Sequence, residues 1–284
     1  MRIFLLSIFS FFIVAGNTQN LPPQSPKQIL VQNFGLGKIK IEYSRPAVRG
    51  RSVFENNSEL APLGKLWRLG ANAATRMSIT TPINFGGKNL DTGTYVLYAI
   101  PGAKEWEIIV NKGLDNWGTD GYKESQDVTR ITVPVTYSKP IDKKEWSENL
   151  ELEVNNIGFE SAEFEIEWAN AHLSFPIKTD VANVLRKEIE QKLNGPISDS
   201  NIYYLAAEFY FDFDKNNEKA LKYTDIVIQQ HPDYFWMILM KAKILVALGR
   251  KEDAKQAALL CRETAQKAKA DDYVRYAETL ISKL

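Results

Sequence analysis

The sequence is poor in the residues that carry most metal and nucleophile chemistry: one cysteine and two histidines in 284 residues. A lone Cys261 excludes an internal disulfide, so any exported form must be held together by its cores. With His172 and His231 as the other soft ligands, the chain falls short of the three or four His and Cys ligands of a zinc site. A Ser–His–Asp triad would have to use one of those two imidazoles, and no Gly-x-Ser-x-Gly elbow is present. Cys261 lies at an apolar helical position and reads as a small core residue rather than a nucleophile. His231 precedes Pro232 at a helix end, where its charge favours the helix C-terminus. An excess of charge of one sign is also missing, with 35 basic and 35 acidic residues. No basic stripe stands out, which argues against nucleic acid as a partner. No cofactor is expected.

Long apolar runs are absent as well. The longest at the start, Ile3 to Val14, is broken only by Ser7 and Ser10. It is shorter than the ~20 apolar residues of a spanning helix. Arg2 precedes it, and the small residues Ala15 and Gly16 and the polar Asn17 to Asn20 follow. This is the pattern of a signal peptide over 1–16, cleaved after Gly16, with a linker over 17–27. An uncleaved anchor is the alternative, disfavoured by that length. No Cys follows the run, so a bacterial lipoprotein anchor is excluded. The expectation is an exported, periplasmic protein with no membrane span after cleavage.

What is present divides into two regions of opposite periodicity. Over 28–179 the pattern is that of strands. In Glu163 to Trp168, acids alternate with Phe164, Ile166 and Trp168, which places the apolar side chains on one face. Glu151 to Val154 repeats this on a shorter run. Ile39, Ile41 and Tyr43 alternate with Lys38, Lys40 and Glu42, and Ile131, Val133 and Val135 alternate with Arg130, Thr132 and Pro134. Thr94 to Ile100 and Trp106 to Val110 are more continuously apolar than the alternating runs and read as central strands buried on both faces. Turn signals such as Gly86-Gly87 and Pro101-Gly102 separate the runs. Many short strands with no helical period between them predict an all-β antiparallel sandwich, with a barrel as the alternative.

From 180 to 284 the pattern is helical and repeats. Laying Asn201–Tyr234 over Phe235–Ala268 at a period of 34 puts Tyr204 on Ile238, Phe211 on Leu245, Ala220 on Ala254 and Val227 on Cys261. That period in helix–turn–helix form resembles the tetratricopeptide repeat. Pro232 ends the first unit. Glu208 occupies its small-residue position, where the second unit has Ala242, and Gln266 replaces the terminal proline of the second. Asp271 to Leu284 would close the stack. An ordinary pair of helical hairpins is the other reading.

The candidate site residues lie in the β region. GKLWRLGANAATRM, from Gly64 to Met77, sets Trp67, Arg68, Asn72 and Arg76 among small residues. Arg45, Arg49 and Arg51 precede it, and Trp117 and Tyr122 follow. Guanidinium forks bind carboxylates and phosphates, and Trp and Tyr faces stack on sugars. Together, Arg45, Arg49, Trp67, Arg68, Asn72, Trp117 and Tyr122 would suit an anionic or glycan-like ligand. The structural reading is that Arg68 pins a loop and Asn72 closes a turn. The loop Asn111 to Asp127 carries Asp115, Asp120, Glu124 and Asp127, which would serve a carboxylate-pair hydrolase. Asp115, Asp120 and Asp127 are a possible calcium set by oxygen count alone, without the EF-hand spacing.

The segments RGRSVFEN, LGKLWRLGANAATRMSIT, GTYVLYAIPGAKEWEIIVNK, WGTDGY and DVTRITV, in this order, resemble the bacterial secreted domain of unknown function 2911 over about residues 24–179. The resemblance implies an exported protein of a Bacteroidota-type bacterium and brings no activity or catalytic residue. Glu55-Asn56-Asn57 departs from it, where relatives tend to place a glycine. The tetratricopeptide resemblance of the tail implies a protein or peptide partner. The expectation is a binding or adaptor protein, with an envelope-directed hydrolase or a structural envelope protein as alternatives.

Overall fold

The computed structural model describes residues 21–138, 146–196 and 200–284. The expected signal peptide and the first part of the linker lie outside the described residues. Among the described residues, twelve strands precede six α-helices. The first sheet runs β1-β2-β3-β6-β7-β8: β1 (Lys27–Phe34), β2 (Gly37–Ser44), β3 (Thr75–Ile79), β6 (Gly93–Ile100), β7 (Glu105–Asn111) and β8 (Asp127–Pro134). The second runs β10-β11-β12-β4-β5, from β10 (Ser147–Asn155), β11 (Ser161–Ala169), β12 (Ala171–Lys178), β4 (Ile83–Phe85) and β5 (Lys88–Leu90). β9 (Thr136–Tyr137) adds a short pairing to β12. All pairs are antiparallel, and the inner faces share one apolar core, as a sandwich requires.

The alternating runs fold as their pattern dictates. Phe164, Ile166 and Trp168 of β11 and Ile39, Ile41 and Tyr43 of β2 are buried in that core. The glutamates between them on β11 are half-buried and bonded: Glu163 accepts from Asn156 and Ser174, and Glu165 from Asn155. β6 and β7 are interior strands of the first sheet and are buried on both faces. Their outer face is covered by two loops. Val96, Tyr98 and Ile109 meet Ala74 and Leu66 from one, and Leu114 and Tyr122 from the other.

The helices are α1 (Val181–Asn194), α2 (Asn201–Glu208, continued by a π-helical turn Phe209–Phe213), α3 (Asn217–Gln230), α4 (Phe235–Ala247), α5 (Lys251–Lys267) and α6 (Asp271–Ile281). The starts of α2 and α4, and those of α3 and α5, each differ by 34 (235 − 201 and 251 − 217), so the repeat read in the sequence is a repeat of structure. Ala220 and Ala254 are fully buried, where two helices of a unit approach. Lys215 and Gly249, also 34 apart, both adopt left-handed backbone, φ 58° and 76°. The units differ where their sequences do. Pro232 follows the end of α3 at Gln230, whereas Gln266 lets α5 run on to Lys267, three residues past the equivalent position 264 (230 + 34). Cys261 is buried beside Ile238, Leu239 and Ala277, its thiol toward the Phe235 carbonyl at 3.2 Å. The strand and helix regions meet at Phe159 and Phe213, whose rings stack at 3.6 Å, and at Glu160, whose carboxylate accepts from the first turn of α1 at Ala182 N.

Candidate functional site

The residues singled out in the sequence separate into three groups. Trp67 goes inside. Its ring is 4% exposed and stacks on Trp168 at 5.4 Å and 17°, and Trp106 and Phe54 meet it edge-on. Its indole nitrogen donates to Gly70 O at 3.1 Å, and its backbone exchanges hydrogen bonds with Ala99. Gly70 fits closely there, since a Cβ would stand only 3.1 Å from Ser44 O and from Thr75 Oγ1. Trp67 therefore offers a ligand no face.

Arg45, Arg49 and Asn72 clasp the chain as it enters β1. Arg45 N donates to Pro26 O, the Arg49 guanidinium donates to Gln24, and Asn72 Nδ2 reaches Ser44 Oγ at 3.2 Å and Ser25 O at 3.5 Å. The Arg45 guanidinium itself bonds Leu150 O and Glu151, tying β2 to β10. Asn72 adopts left-handed backbone at φ 61°, which asparagine tolerates better than most residues.

Arg68, Trp117 and Tyr122 belong to the outer layer. Arg68 passes over Gly118, close enough that a Cβ there would lie 2.5 Å from Nη1, and it donates to Asn72 O at 3.3 Å. Trp117, next to Gly118, is 64% exposed. Arg68 and Asn72 thus meet on an outer surface layer rather than around Trp67, with Gly118, the chain neighbour of Trp117, beneath Arg68. Arg76 anchors the same layer by donating to Leu114 O.

Tyr122 and the acids of the loop converge on Arg130. The Tyr122 hydroxyl donates to Asp127 Oδ2 at 2.8 Å and accepts from Arg130 Nη2 at 2.8 Å. Asp127 also accepts from Asn111 Nδ2 at 2.7 Å and Arg130 Nε at 2.8 Å. Glu124 and Glu107 complete the ion pairs of Arg130. Burial first, and the Asp127 carboxylate after it, push the Tyr122 phenol up to about 12. The sequence singled out the acids and missed Arg130, whose signal was its place among polar residues alternating with Ile131 and Val133. Asp115 and Asp120 are exposed. The calcium set of Asp115, Asp120 and Asp127 does not form: among the described residues no group of three such ligands comes together. Asp127 already accepts from three donors.

A concave site lies elsewhere on the sandwich. A cleft of ≈ 520 Å³ opens at the end where Gly50–Glu55 passes the β11–β12 hairpin. Its lining includes Arg51, Phe54, Glu55, Tyr137, Trp146 and Asn170. Phe54 forms its floor, with its ring 4.8 Å from Trp106 and 5.9 Å from both Tyr137 and Trp168. Arg51 is fixed by donating to Val48 O and Ala47 O, and among the described residues no carboxylate pairs with it. Trp146 is 41% exposed. The turn Glu55–Ser58 closes by Ser58 N donating to Glu55 O, without positive φ at Glu55, Asn56 or Asn57. The glycine expected there is therefore dispensable. His172 borders the neighbouring hollow, its Nδ1 2.9 Å from Glu167, which also accepts from Ser147. The glutamate lies between serine and imidazole, so this is not a nucleophile–base pair.

The sheets, the covering loops and the cleft are built from one continuous stretch, and a family described as protein of unknown function (DUF2911) matches residues 25–177 of it. The chain belongs to the DUF2911 family. The match ends one residue before β12 ends and before the helices begin, so the DUF2911 domain is the sandwich. RGRSVFEN, one of the segments shared with DUF2911, supplies Gly50 to Glu55 of the cleft. Neither the curated proteins nor the solved structures yielded a match to the chain.

Proposed function

We propose that this is an exported binding protein. Its DUF2911 sandwich takes a small anionic, sugar-like ligand in the end cleft, and its helical stack docks a partner protein. The observation that carries the reading is Arg51: a guanidinium held by two backbone carbonyls, without a carboxylate partner among the described residues, in a cleft walled by Phe54, Tyr137 and Trp146. A volume of ≈ 520 Å³ is within the usual range for small-ligand sites. A carboxylate or phosphate would pair with Arg51, a ring would lie on Trp146, and hydroxyls would donate to Glu55 and Asn170. The export half of the reading rests on the signal-peptide pattern.

The seven residues first considered support the cleft indirectly. They clasp the N-terminal segment, fill the core beneath Phe54 and hold the outer loops. The hydrolase alternative loses support from the same geometry, because Glu124 and Asp127 face Arg130 rather than each other. The helical half rests on the 34-residue stack and on a groove of ≈ 770 Å³ between α1 and α2 that includes the exposed Leu205.

Calorimetry with glucuronate and with glucose as paired probes tests the cleft. Binding of glucuronate over glucose, lost by at least about tenfold in Arg51→Ala, is the expected result, a change of about 1.4 kcal/mol. Equal affinity of Arg51→Ala, or binding of neither sugar, would overturn the reading.

A further inference from the structure

We propose that two copies of this chain pair edge to edge through β1, in an antiparallel register centred on Leu30. Each sheet of the sandwich has two edges, and three of the four carry features that discourage strand addition. β5 has only three residues. β8 ends in Pro134 and has a register shift opposite Val110 and Asn111. β10 has a register shift between Ser147 and Glu151 and carries Glu148, Glu151 and Glu153. β1 has none of these. It runs eight residues in unbroken register with β2, contains no proline, and has one charge, Lys27, at its end.

The free side of β1 is chemically self-complementary. Its hairpin with β2 closes at Phe34–Gly37 around a two-residue turn, so even-numbered residues bond β2, as the Arg45 N to Pro26 O bond confirms. Lys27, Ile29, Val31 and Asn33 therefore turn their N–H and C=O groups to the open edge. Among the described residues only Asn33 O meets a donor there, from the neighbouring Gln32 side chain. The same four residues point their side chains outward, with Ile29 52% and Val31 53% exposed.

A second copy antiparallel about Leu30 sets Ile29 against Val31 of that copy, and Lys27 against its Asn33. These are residues whose backbone groups face the edge, so the ladder and the side-chain faces agree. The charges agree too. Ile29 has Glu42 beside it on β2 and Val31 has Lys40. Each apolar pair across the join is thus flanked by an acid from one copy and a base from the other, while at each end Lys27 stands against Asn33, whose neighbour on β2 is Lys38. The same patch meets itself, as a two-fold dimer requires. One strand from each side is a small contact for an interface, so the affinity expected is micromolar.

Sedimentation velocity of the purified chain, from about 1 to about 100 μM, tests the pairing. The wild type is expected to move from monomer to dimer. Ile29→Lys and Val31→Glu, each at an exposed position, are each expected to weaken dimerisation at least about tenfold, with melting unchanged at about 1 μM, where the chain is monomeric. The double variant I29K/V31E places each new ammonium against a new carboxylate of the other copy and is expected to regain the dimer. A wild type monomeric throughout overturns the proposal and leaves the edge to a strand of another protein. A double variant no better than the single ones overturns the register.

Discussion

Trp67 and Trp168 stack at 5.4 Å and 17° in the interior of the sandwich, one from a loop segment and the other from an alternating strand. The contact joins the loop that covers the outside of the first sheet to the inner face of the second. Trp168 brings an indole N–H with no partner among the described residues into this stack, so its contribution there is apolar.

Trp67→Ala should destabilise the protein by about 3–5 kcal/mol, the range for removing a buried tryptophan. Denaturant unfolding followed by circular dichroism measures this. A loss under about 1 kcal/mol would mean that the ring is not a packed core residue.

Part of this was legible in the sequence. The strict alternation of β11 announced that Trp168 faces a core, and the continuous apolar runs of β6 and β7 announced burial on both faces. Trp67 and Trp117 could not be separated locally, because both lie among glycines and polar residues. Which one is buried depends on whether the second sheet or solvent lies opposite, and that is set by tertiary packing. The cleft was hidden for the same reason. Arg51 and Trp146 are far apart in the chain and meet only because β11 and β12 return beside Gly50–Glu55. The helical repeat was readable in advance because its contacts are local and recur at a fixed period.

Tyr122 should titrate late. Its phenol is raised from 10.0 to about 12 in the folded protein, burial being the largest cause and Asp127 the next. An unfolded chain ionises this tyrosine near 10. The folded state therefore holds its proton where the unfolded state has lost it, and stability falls as pH rises from about 10 to about 12. Below that window the stabilisation is fully present. Tyr122→Phe should flatten this alkaline fall in urea midpoints measured from pH 9 to 12. An unchanged slope would show that Tyr122 does not carry it.

Lys215→Gly should stabilise the helical stack. Lys215 holds φ 58° at the position where the second unit has Gly249 at φ 76°. A non-glycine residue in left-handed backbone costs of order 1 kcal/mol, and Lys215 is exposed, so little packing is lost. A rise of about 0.5–1 kcal/mol in unfolding free energy is expected from thermal or denaturant melts. A fall would mean that the lysine side chain matters more than the backbone it strains.

The seclusion of Cys261 makes the chain its own gauge of helix-stack opening. Burial pushes this thiol up to about 11, and no part of it meets solvent while α4, α5 and α6 are packed. A thiol reagent can react only in molecules that have transiently parted these helices. The rate of modification of the unaltered protein then reports how often the stack breathes, and a partner gripping the helices would be seen as a slowing of that clock.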